Sequence, residues 1–75
     1  MREKSRSEAV LAFVSFCIEE YKTCRGMSGA AAAAWFEKFG VTDYLMAHFD
    51  VLHTLGAAAI MADIDRFIGE RRPRR

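Results

Sequence analysis

Proline is nearly missing from this chain: a single residue, Pro73, in 75. The strongest helix breaker is therefore absent from everything before it. Cysteine is scarce too. Cys17 and Cys24 are the two, and no Cys/His spacing of zinc type accompanies them. On one helix, seven residues apart, they would lie about 10 Å from each other, beyond disulfide reach. Two buried thiols in a reducing cytoplasm are expected. Strand-type alternation never survives beyond a few residues, which excludes a sheet. There is no Gly-rich phosphate loop, no His-Glu-x-x-His and no Gly-x-Ser-x-Gly, so the commonest catalytic signatures are excluded. A long apolar run is missing as well. The stretch after the basic N-terminus holds about ten apolar residues, too few to span a bilayer. It imitates a secretory leader, but Phe16 precedes Cys17 where a small residue is needed, and Glu19 and Glu20 follow. A cytoplasmic, non-membrane protein is expected.

What is present is apolar mass and an uneven charge layout. The chain is 52% hydrophobic with a formal net charge of +1. At this length one domain is expected, near the lower limit for a self-sufficient core. Residues 9–70 hold eight acids (Glu19, Glu20, Glu37, Asp43, Asp50, Asp63, Asp65, Glu70) against four bases (Lys22, Arg25, Lys38, Arg66), a balance of −4. Residues 71–75, "RRPRR", carry +4. The acidic body argues against a nucleic-acid face. The division expected is a flexible basic N-terminus over 1–6, a helical domain over 7–71 and a basic tail over 72–75.

Apolar periodicity predicts an all-α bundle of about four short helices, at about 7–25, 28–39, 42–53 and 56–71. The first has Ser7 as N-cap and Gly26 as its stop. Its apolar arc, which includes Phe13, Phe16, Cys17, Tyr21 and Cys24, covers well over half the circumference. A surface helix needs only about 100°. This helix is therefore central in the fold or buried against a second chain. The second helix starts at the N-cap Ser28, runs through five alanines and ends at Gly40, with Ala32, Trp35, Phe36 and Phe39 on one face. The third takes Thr42 as N-cap and points Tyr44, Leu45, His48, Phe49 and Leu52 inward. The fourth shows a stripe of Ala57, Ile60, Met61, Ile64, Phe67 and Ile68, flanked by Asp63 and Asp65.

The stretch "FDVLHTLG", residues 49–56, offers the best candidates for chemistry. Asp50 and His53, at i and i+3, are close enough to share an ion. A third ligand would have to come from Asp63 or Asp65, and nothing in the sequence fixes that approach. His53 is expected instead at a helix C-terminus, bonded to the last carbonyls, with Thr54 capping the next helix. His48 is expected half-buried and hydrogen-bonded. Cys17 sits at the centre of the apolar arc, where a thiol is inert. No metal, no cofactor and no enzymatic activity are expected. Asp50, His53, Thr54, Asp63 and Asp65 are the candidates for a partner-contact edge or an inter-helix corner. Phe13, Phe16, Cys17, Tyr21 and Trp35 are the candidates for a core or dimer face. "AWFEKFGVTDYLM" has a faint helix-turn-helix look, but its second helix brings Asp43 and Asp50 and no base to read DNA.

Three segments in order, "FVSFCIEEYK", "MSGAAAAAWFEKFGVTDYL" and "FDVLHTLGAAAIMADIDRFI", resemble a family of short bacterial proteins called domain of unknown function 3791. The resemblance spans about residues 13–68. Its pattern falls on Cys17, Glu19, Glu20, Tyr21, Gly29, Phe36, Gly40, Asp43, Tyr44, Asp50, Leu52, His53, Thr54, Gly56, Asp63, Ile64 and Asp65. Phe39, Phe49 and Phe67 stand where the pattern tends to tyrosine, and alanines replace charged residues around 31–34 and 57–59. No activity is implied. The family's gene neighbours include an ADP-ribosyltransferase-like family, which implies a regulatory or antitoxin-like partner role. A DNA-binding helix-turn-helix regulator and a homodimer without other ligand are the alternative expectations.

Overall fold

The computed structural model describes residues 6–72. Within them lie α1 (Arg6–Arg25), α2 (Gly29–Phe39), α3 (Val41–Ala47), α4 (Phe49–Leu52) and α5 (Ala57–Arg71), and no strand. The expectations for residues 1–5 and 73–75, Pro73 included, lie outside the described residues.

Local signals explain most helix ends. α1 stops at Gly26, whose φ of 64° suits a residue without Cβ. Met27 N–H then reaches back to Lys22 O at 3.0 Å, closing the last turn in the Schellman manner. Ser28 accepts from Ala31 N at 3.0 Å and starts α2 as an N-cap. Gly40, at φ 72°, ends α2 and in the same residue begins α3. Three expected caps are corrected. α1 already includes Arg6, so Ser7 is inside the helix rather than before it. Thr42 lies inside α3, and α5 is preceded by Gly56 with no side-chain cap.

The expected helix over 42–53 is two helices. His48 leaves helical geometry (φ −113°, ψ 24°), and α4 is a single turn set at a new angle. Leu45 and Phe49 are both inside, the latter edge-on to Phe13 of α1 with ring centroids 5.5 Å apart. The bend turns His48 outward, so that histidine is exposed rather than half-buried.

The core gathers around α1, which packs against α2, α3 and α5. Cys17, Ala32, Phe36, Val41, Leu45 and Ile64 are fully buried. Three packing partners explain the wide apolar arc of α1. Its edges remain outside: Leu11 is 64% and Phe16 41% exposed, while Phe13, Cys17 and Tyr21 belong to the core. Trp35 is half-buried, edge-on to Phe39 at 4.8 Å. Cys24 is exposed, a correction to the expected pair of buried thiols, because the arc narrows at the end of α1. No helix of the described residues is long and apolar enough to cross a membrane.

Five of the seven described bases lie over aromatic rings. Arg6 covers Phe49, Arg25 covers Tyr21, Lys38 covers Trp35 and Phe39, Arg71 covers Phe67 and Arg72 covers Trp35. About one energetically significant contact of this kind per 70–80 residues is usual. In so small a fold the aromatic core reaches the surface, and alkyl-stemmed cations shield it from water.

Candidate functional site

The "FDVLHTLG" segment forms a closed corner. His53 is the C-cap of α4, and its backbone N–H donates to Phe49 O at 3.0 Å. Its ring Nδ1 lies 2.7 Å from the same oxygen. A carbonyl accepts only, so Nδ1 carries the proton. The imidazole also stacks on Phe49, 4.4 Å between centroids and 10° between planes. Thr54 Oγ1 donates to Val51 O at 2.7 Å, which satisfies the end of α4 rather than the start of α5. The expected histidine at a helix C-terminus is present. Asp50 turns away and meets Arg6 Nη1 at 3.0 Å, pinning the start of α1 to α4. Arg6 holds the Asp50 carboxyl below its usual range, first through that hydrogen bond.

The other two carboxylates go elsewhere. Asp65 pairs with Arg25. Asp63 accepts from the Tyr44 hydroxyl at 2.6 Å and from Arg66 Nη2 at 2.7 Å. Arg66 also reaches Glu70 at 3.0 Å. Burial alone would raise the Asp63 pKa, but the Tyr44 hydroxyl and Arg66 outweigh it, and the net direction is down. The same bond to Asp63 raises the Tyr44 hydroxyl above its ordinary value. Tyr44 is held further by stacking on Phe67 at 4.2 Å. The three candidate carboxylates are thus divided among three arginines and do not converge. Among the described residues, no group of three or more His, Cys, Asp or Glu is placed to hold a metal ion.

Of the five candidates, Asp63 alone lines a groove of ≈ 570 Å³ between the α3–α4 bend and α5. Tyr44, His48, Asp63 and Arg66 form its polar end, and Val51, Leu55 and Ala59 its apolar end. Val51 is 65% and Leu55 40% exposed. Sequence reasoning missed this groove. The available signal was that Val51 and Leu55 fall off the buried phase set by Leu45, Phe49 and Leu52.

The family described as Protein of unknown function (DUF3791) matches residues 12–71. The chain belongs to this family. The match begins inside α1 and ends with α5, so it takes in the DUF3791 corner, the Tyr44–Asp63–Arg66 network and the groove together. Comparison with curated proteins and with solved structures returned no match to this chain.

Cys17 settles one chemical question within this DUF3791 chain. Burial first, and Glu20 second, push its thiol up to about 12, where the nucleophilic thiolate is scarce. An Ellman titration of the native protein is expected to label Cys24 at once and Cys17 only after denaturant is added. Two equally fast thiols would contradict this burial.

Proposed function

We propose that this chain is a cytoplasmic protein-interaction module without catalytic activity of its own, and that it regulates an ADP-ribosyltransferase-like protein encoded beside it. The observation that carries a docking role is the exposed apolar pair Val51 and Leu55 on the rim of the ≈ 570 Å³ groove. Exposed apolar side chains beside a shaped groove are what a helix-in-groove contact uses. Ala59 and Ala62 keep the floor low enough for a partner backbone to approach. At the other end, Tyr44, Asp63 and Arg66 hold one another in place, so polar groups are presented in a fixed geometry. The −4 balance of residues 9–70 suits a partner with a basic cleft. The identity of that partner rests on the family's gene neighbourhood.

The test is co-expression of the tagged chain with the product of the adjacent gene, followed by affinity purification and calorimetry. A one-to-one complex is expected, weakened at least about tenfold when Val51→Asp and Leu55→Asp are combined. Both side chains point outward, so the helical circular dichroism of the double variant should equal the parent's. Absence of a complex overturns the proposal. So does a chain that is dimeric alone and loses that dimer on the same substitutions, since the groove would then serve a second copy.

A further inference from the structure

The outward side of α1 carries a line of residues that the fold leaves wholly or partly uncovered. Glu8, Leu11, Ser15, Ile18 and Lys22 recur at three–four spacing and fall within about 80° of the helix circumference. Glu8, Leu11 and Ser15 are exposed, Leu11 at 64%, and Ile18 and Lys22 are half-buried. Of the residues expected for a dimer face, Phe13, Cys17 and Tyr21 belong to the core instead. Phe16 lies about 120° round the helix from the centre of this line. The line is complementary to its own reverse. Ser15, a small residue, stands at the midpoint, with Glu8 seven residues to one side and Lys22 seven to the other. Leu11 and Ile18 lie between, at four and three residues from it. Turned end for end, the line presents acid to base, apolar to apolar and small to small. Its flank matches in the same sense. Beside Leu11, Met46 of α3 is 46% exposed and shares a hollow of ≈ 400 Å³ with it. Beside Lys22, α2 begins at Gly29, where an added Cβ would lie 3.8 Å from Lys22 Cδ, and Ala30, Ala31, Ala33 and Ala34 are exposed.

We infer that two copies of this chain pair through α1, antiparallel, about a two-fold axis at Ser15. Leu11 of each copy comes within about one residue's rise of Ile18 of the other. Lys22 stands between its own Glu19, 3.1 Å away, and Glu8 of the second copy. Met46 meets the low, alanine-covered start of the other copy's α2. Ser15 at the crossing point lets the two helix axes approach closely. A two-fold interface joins one patch to the same patch reversed, so self-complementarity selects a second copy over an unrelated partner. The apolar contacts hold the pair, and the charges at both ends fix its direction and register. This inference does not depend on the Val51–Leu55 groove.

Sedimentation equilibrium of the full chain at low salt reads the association, and a reversible monomer–dimer equilibrium is expected. Leu11→Asp should weaken it at least about tenfold. Ser15→Glu sets like charges against each other across the axis and should weaken it by a similar factor. Glu8→Lys and Lys22→Glu each create repulsion at both ends of the interface, and each should weaken the dimer about fivefold. Mixed in equal amounts, these last two variants should form a heterodimer about as tight as the parent dimer, because every introduced charge then meets its opposite. Parallel pairing gives no such recovery. None of the four positions belongs to the core, so the helical circular dichroism of each variant should equal the parent's. A chain that stays monomeric up to about 1 mM overturns the inference. So does a dimer that survives Ser15→Glu, or a mixture of the two charge variants that associates no better than either alone.

Discussion

Phe36→Ala is expected to lower the thermal midpoint by about 15–30 °C, or to leave the chain unfolded at room temperature. Phe36 is fully buried and meets Tyr21 of α1 edge-on, with centroids 5.3 Å apart. It is the largest wholly enclosed side chain on α2, and Ala32, the other buried residue of that helix, is too small to hold it alone. Truncating a buried phenylalanine costs about 3–5 kcal/mol, as lost transfer energy plus the cavity left behind. Domains hold about 0.05–0.15 kcal/mol per residue, so in a chain this short the loss takes a large share of the total. For domains of this size each kcal/mol moves the midpoint by about 4–8 °C. Phe16→Ala is the matched control. At 41% exposed, that ring lies at the edge of the apolar arc, and its removal should cost under about 1 kcal/mol. Thermal unfolding followed by circular dichroism separates the two. Similar losses at both positions would mean that Phe16 is buried in solution.

The second large effect is expected at Asp63, as a function of pH. Its carboxyl titrates below the ordinary 3.8 because the Tyr44 hydroxyl and Arg66 together outweigh the opposing effect of burial. A carboxyl that binds its proton less readily when folded stabilises the fold fully above its unfolded value. That stabilisation is lost as pH falls through the lower, folded value. Tyr44 behaves in the opposite sense. Its hydroxyl is raised above the ordinary 10.0, first by the bond to Asp63, so its contribution is full below that value and lost as pH rises through the folded one. The protein should therefore show a stability plateau from about pH 4 to about pH 10, with a limb at each end. Asp63→Asn should lower the plateau by about 1–2 kcal/mol, since Arg66 is half exposed and its share is screened. It should also shrink the acid limb without removing it, because Asp50 keeps its own Arg6 partner. Denaturant unfolding across the pH range reads all of this. A profile of the Asp63→Asn variant superimposable on the parent's would show that the network holds nothing in place.

What sequence reading recovered follows from how local each cause is. Ser28, Gly26 and Gly40 act within one turn of themselves, and the ends they predict are the ends observed. The α5 stripe was equally plain, since Ile60, Met61, Ile64, Phe67 and Ile68 recur at helical spacing and all five are buried. The bend at His48 had no such signature. Residues 44, 45, 48, 49 and 52 keep helical spacing across it, and no glycine or proline marks it. Beyond the bend, Phe49 packs edge-on against Phe13 of α1, a contact no local spacing announces. Ser7 and Thr42 illustrate the converse, good capping residues that the helices simply ran past. The corner histidine was legible because its carbonyl partner is four residues away. The arginine partners of Asp50 and Asp65 stand 44 and 40 residues away, which no spacing rule reaches. For the same reason the groove remained hidden until α3, α4 and α5 were placed together.

Gly40 has a wider consequence. Because one residue both closes α2 and opens α3, no slack separates Phe36 from Leu45, two of the fully buried side chains. Adding or deleting a single residue there would rotate one helix by about 100° relative to the other and carry Val41 and Leu45 out of the core. The 53–56 corner is held differently: all four of its residues are exposed, and the bonds of His53 and Thr54 to carbonyls of α4 set its length. Length variation among homologues should therefore be forbidden at position 40 and rare at the corner between Leu52 and Ala57.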